Sequence, residues 1–218
     1  MPNIFLTTFL TTTLLLLTTQ ISAATLQVTV KDDTGAQLPD TVIYAVPTQG
    51  NKMELPKPPT SIEQKNKTFR PFVSAVPVGT TAYFPNRDGI GHHVYSFSAT
   101  KPFMLPLSDA EQSSPVTFDK PGVVTIGCNI HDWMVAYVYV LETPYYAISN
   151  AQGNAVIEQL PPGQYHIHAW HPGIKNKKEA EQSVDINTEQ TTALEISIEI
   201  KPEYFWRPEK PATEEQQY

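Results

Sequence analysis

The chain has a single cysteine among its 218 residues, and that scarcity excludes a good deal. One cysteine cannot form an internal disulfide, a Cys-x-x-Cys redox pair, a multi-cysteine zinc or iron–sulfur site, or a two-cysteine binuclear copper centre. Cations are also scarce: 15 Lys and Arg face 22 Asp and Glu, a formal net charge of -7. Nucleic acid, which calls for clustered Lys and Arg against phosphate, is therefore not an expected partner. Helical periodicity is nearly missing, and the only helical candidate is short, near residues 175–182. At ~100–200 residues per domain, the length allows one domain or two small ones.

The first 24 residues carry no charged side chain, run apolar or Thr from Phe5 to Leu17, and end in Ser22-Ala23-Ala24. This reads as a secretory leader, although the usual Lys or Arg near its start is missing. The alternative is a retained anchor, but the apolar run falls short of the ~20 residues a span needs. The expected location is periplasmic or otherwise exported, with no stable membrane insertion after cleavage. An odd cysteine in an exported chain is an intermolecular partner, a reactive thiol or a metal ligand.

Strand and turn signals fill the remainder. Leu26, Val28 and Val30 alternate with polar residues ahead of the Asp32–Gly35 turn, and Thr41–Val46 is a second β-rich run. Residues 47–60 read as a proline-bearing linker and 101–114 as a loop. Met134–Leu141 is eight apolar residues in a row, the pattern of a strand buried on both faces. Leu194, Ile196, Ile198 and Ile200 alternate with polar residues. Residues 201–218 read as a tail with a disordered end. Many short strands with Gly and Pro turns predict an all-β protein built from β-sandwiches.

Cys128-Asn129-Ile130-His131-Asp132-Trp133-Met134 lies between one strand and the long buried one. Thiolate, imidazole and thioether on one tight loop form a ligand set that selects copper, and a trigonal site of this kind needs one more histidine. The loop Asn86-Arg87-Asp88-Gly89-Ile90-Gly91-His92-His93 offers it just before another strand. Met134 is either the weak axial ligand or core filler at a strand start. Cys-x-x-His-x-x-Met resembles the amicyanin spacing, and residues 60–141 resemble a cupredoxin, a small blue copper protein. The resemblance implies a Greek-key β-sandwich and one copper ion cycling between Cu(I) and Cu(II). It maps the ligands to His92, Cys128, His131 and Met134, with His93 taking a non-ligand position. It also implies that Asn86 hydrogen-bonds across to the cysteine loop, and that the edge of His131, flanked by Ile130 and Trp133, is the port for electrons to a redox protein partner. Exported proteins of this layout often carry the label methylamine utilization protein.

Ala151-Gln152-Gly153 and Leu160-Pro161-Pro162-Gly163 are similar to turns of the carboxypeptidase regulatory-like β-sandwich, an accessory module. Its opening strands match residues 25–50. The expected layout is therefore a second small sandwich, residues 25–50 and 142–200, split by the inserted copper unit. The competing layout makes 25–141 one enlarged cupredoxin.

A strand from Tyr165 to Trp170 puts His166 and His168 on one face, about 7 Å apart. A solvated strand face is the plainer reading, since no carboxylate lies at a compelling spacing along the chain. His171, before Pro172, reads as a strand-end turn residue. The expected function is one-electron transport and not catalysis, because oxygen reduction needs further histidine-rich copper centres. Copper storage or delivery, and a surface interaction module with structural copper, are the alternatives.

Overall fold

The computed structural model describes residues 24–49, 53–108, 114–187 and 190–201. The leader, apart from Ala24, and the tail, apart from Lys201, lie outside them. The strands are β1 (Ala24–Asp32), β2 (Val42–Pro47), β3 (Thr60–Ser61), β4 (Glu63–Lys65), β5 (Thr68–Arg70), β6 (Val73–Pro77), β7 (Thr81–Tyr83), β8 (His92–Ser96) and β9 (Phe103–Ser108). They continue as β10 (Val116–Thr117), β11 (Gly122–Gly127), β12 (Val135–Leu141), β13 (Tyr146–Ile148), β14 (Asn154–Leu160), β15 (Gly163–Trp170), β16 (Ala180–Ile186) and β17 (Thr191–Ile198). The protein is all-β, and no helix among the described residues is long and apolar enough to cross a membrane.

Strands from the two ends of the chain share sheets. One sheet has the order β14-β1-β17 and another β13-β2-β15-β16. In β1, Val28 sits opposite Ala155 on one side and runs parallel with Leu194 on the other. The alternation read in β1 buries Leu26, Val28 and Val30, which join Ile43, Ile157, Ile167 and Ile196 in one apolar core.

The middle of the chain builds a five-stranded sheet, β6-β12-β11-β8-β9, a three-stranded sheet, β10-β7-β3, and the hairpin β4-β5. A second core gathers Phe69, Phe84, Phe118, Ile126, Val138 and Met134, with Cys128 among them. Each such side chain taken fully out of water contributes about 1.5–3 kcal/mol.

The apolar run of β12 now has a structural cause. Ala136, Val138 and Val140 face the second core, whereas Tyr139 and Leu141 join the first. Successive side chains point to opposite faces, so a strand apolar throughout has a core on each side.

Two local expectations are corrected. Residues 101–114 are not all loop: Phe103–Ser108 forms β9, paired with β8. Pro106 disguised it, yet β9 is the outermost strand of its sheet, where a missing N–H is tolerated. The helix expected near 175–182 is only a 3-10 turn at Lys175–Lys177, and from Ala180 the chain pairs with β15 as β16. Long-range pairing outweighs the local preference of Lys, Glu and Ala for helix.

Candidate metal centre

Two separate stretches of backbone deliver the site. His92 opens β8, Cys128 follows directly on β11, and His131 lies on the loop from β11 to β12. The ligand atoms of His92, Cys128 and His131 all lie within 4.8 Å of one another. The two imidazole centroids are 4.9 Å apart. Cys128 is a buried free thiol. A turn in which the Met134 N–H donates to the His131 carbonyl at 2.8 Å closes the loop. Met134 is fully buried in the same core as Cys128.

Both imidazoles have bonding capacity to spare. Nδ1 of His92 and Nδ1 of His131 are buried without a hydrogen-bond partner. Buried polar atoms without partners are rare, and those that occur call for an explanation such as an ion. Two imidazoles beside a thiol are a donor set that suits copper or zinc. The residues therefore fit a bound metal ion. Burial, and then the neighbouring His92 imidazole, hold the His131 imidazole below its ordinary pKa, which keeps it neutral and able to ligate at lower pH.

The other nitrogen of His92 is occupied. Its Nε2 lies 2.8 Å from Asp88 Oδ2. Asp88 also accepts the backbone N–H groups of Asn66 and Lys67, the turn residues of the β4–β5 hairpin. Burial raises the Asp88 pKa, but these donors outweigh it and keep the carboxyl below the usual range. The same turn reaches the other ligand loop, because Trp133 Nε1 donates to the Lys67 carbonyl at 3.1 Å. One hairpin turn thus braces both histidine-bearing segments. Asn66 and Lys67 both have a positive φ of 54°, the left-handed conformation that two-residue hairpin turns require.

Sequence reasoning missed Asp88. Its only signal is a carboxylate four residues before His92 in a glycine-containing loop. Asp88→Asn is expected to weaken metal retention about 10–100-fold, as loss of a partner behind a ligating histidine does. Competition against a chelator measures it, and unchanged retention would show that Asp88 does not hold the His92 ring in place for the ion.

Asn86 is buried beside these groups, but its bonds differ from the implied ones. Its Nδ2 donates to the carbonyls of Ile90 at 2.7 Å and Ser108 at 2.9 Å, and its Oδ1 accepts the Asp88 N–H at 2.9 Å. These bonds fold the His92 loop on itself and tie it to β9; none of them goes to the cysteine loop. The side chain bonds the N–H two residues on, a local turn that Asn favours. His93 is the next residue of β8, and period two sends it to the face opposite His92. Ile130 and Trp133 are exposed beside the half-buried His131, and Trp133 packs edge-on to it at 5.1 Å.

The other histidines lie in the first core's sheets. His166 and His168 are half-buried on one face of β15. His171 is fully buried at the strand end, its Nδ1 accepting the Gly173 N–H at 3.0 Å.

The family described as Polysaccharide lyase family 4, domain II matches residues 134–194. A copper-containing nitrite reductase from Thermus scotoductus SA-01 is similar over 45% of this chain and 26% of its own, with 27% identity and a TM-score of 0.38. The chain thus spans about a quarter of that enzyme's length. A purple cupredoxin from Nitrosopumilus maritimus is similar over 38% of this chain and 99% of its own, with 24% identity and a TM-score of 0.34. A mutant amicyanin in its reduced Cu(I) form is similar over 45% of this chain and 99% of its own, with 21% identity and a TM-score of 0.36. No curated protein sequence matches the chain. Fold and site together define an all-β protein with a buried His–Cys–His group able to hold a metal ion.

Proposed function

We propose that the protein is an exported electron carrier holding one copper ion in a mononuclear blue site, with His92, Cys128, His131 and Met134 as ligands. The observation that carries this reading is that His92, Cys128 and His131 bring their ligand atoms within 4.8 Å of one another, with Nδ1 of each histidine buried and unpartnered. Bound copper would supply a one-electron couple between Cu(I) and Cu(II). The chain's own residues supply the rest. Asp88 fixes the ring of His92 through Nε2, leaving Nδ1 for the ion. The second core encloses Cys128 and Met134 and keeps bulk water from the thiolate. Strands on either side of the loops resist rearrangement, which suits a site that must change charge with little movement.

The half-buried His131 between exposed Ile130 and Trp133 offers the contact for a redox protein. The accessory sandwich, residues 25–50 and 142–200, would present the copper unit, inserted as residues 60–141. The pairing of β1 with β14 and β17, and of β2 with β13 and β15, supports this layout.

The test is voltammetry with visible spectroscopy on the copper-loaded chain. A reversible one-electron wave with bleaching and return of an intense colour is expected. Colourless copper-loaded protein, or copper lost on each reduction, would favour storage and delivery instead.

A further inference from the structure

We propose that His166, His168 and Glu181 form a second metal site, on the outer face of the accessory sandwich, for a borderline divalent cation such as zinc. Along the chain the two histidines have no suitable carboxylate. Strand pairing supplies it: β16 runs antiparallel to β15 with Glu181 directly opposite His168. The carboxylate of Glu181 spans both rings, with Oε1 at 3.2 Å from His166 Nδ1 and Oε2 at 3.9 Å from His168 Nδ1. A second carboxylate, Glu179, approaches His168 Nδ1 at 3.9 Å. Four groups that suit zinc, two of them anionic, therefore gather where β15 meets the start of β16.

The surroundings orient this face. Tyr44 stacks on His168 with centroids 4.8 Å apart and planes 12° from parallel. The Tyr44 and Tyr139 hydroxyls both donate to Glu179, which fixes that carboxylate behind the histidine. Ser183 Oγ lies 3.2 Å from His166 Nδ1. Partners of this kind orient ligands at metal sites.

The histidine centroids are 6.5 Å apart, wider than two ligands of one ion stand. The His166 side chain is 41% exposed, so its ring is free to rotate through solvent and close that gap. His168 also lines a cavity of about 420 Å³ with Tyr44, Met53 and Tyr139, through which an ion can reach its ring. Two histidines and one carboxylate leave the fourth tetrahedral position to water.

The experiment is equilibrium dialysis of the copper-loaded full chain against zinc, read as metal content per chain. The wild type is expected to hold one more zinc than a His166→Gln/His168→Gln double variant, whatever occupies the His92–Cys128–His131 site. Glu181→Gln is expected to lower the affinity for that zinc about tenfold or more. The positions lie on a half-exposed strand face, and far-UV circular dichroism checks that each variant is folded. As a second readout, zinc should shift the His166 and His168 imidazole resonances of the wild type. Equal zinc content in wild type and double variant, or unmoved resonances, would overturn the proposal and leave the cluster as cross-strand ion pairs.

Discussion

Cys128→Ser is expected to abolish the intense visible absorption of the copper-loaded protein and to weaken copper retention by about 100-fold or more. The thiol is the only soft anionic donor in the chain, since no second cysteine exists to replace it. Serine is nearly isosteric, and the residue is almost wholly buried among Val124, Ile126 and Met134, so the fold should tolerate the change better than the site does. The hydroxyl stays protonated at neutral pH and leaves two imidazoles and a thioether, too little charge to stabilise Cu(II) strongly. Absorption and spin-resonance spectra beside the wild type measure the effect. Retained colour in the variant would mean that the colour does not come from the thiolate, and the proposed centre would fail.

The second large effect concerns the packing of β15 on β12 within the first core. Trp170 ends β15 and packs edge-on against Tyr137 at 6.0 Å and Tyr139 at 5.4 Å, both on β12. It is only 8% exposed. Trp170→Ala is expected to destabilise the protein by about 3–5 kcal/mol, since it empties a large buried volume. Part of that loss is the two edge-on aromatic pairs, each contributing about 0.5–1.5 kcal/mol beyond burial. Urea unfolding followed by fluorescence and by circular dichroism reads this as a lower midpoint. The wild type should unfold in one transition by both probes, because β12 belongs to both cores. A loss under about 1 kcal/mol would show that this packing contributes little to stability.

Much of this was legible in the residues because the chemistry is local. Cys128, His131 and Met134 lie within seven consecutive positions, and the eight-residue apolar run after them marks a strand with a core on each side. His92 needed the family resemblance, since neither spacing nor composition separates it from His93. What was not legible depends on pairing between distant segments. Asp88 acquires its role only when the turn at Asn66 and Lys67 arrives beside it. Glu181 stands opposite His168 only because β16 pairs with β15, and the sequence suggested a helix there instead. β9 was hidden by Pro106, a residue whose cost depends on whether a strand lies inside a sheet or at its edge.

The parallel pairing of β1 with β17 has a consequence for the order in which the protein forms. The pairing joins residues such as Thr25 and Thr191, and on its other edge β1 pairs with β14. Contacts so distant in sequence form late, because chain entropy must be spent before they give any return. The segment from β3 to β12 closes among nearer neighbours. The half that carries the His–Cys–His group can therefore collapse while the strand that completes the first sheet is still to come. The order expected is the inner segment first and the sheet of β1, β14 and β17 last.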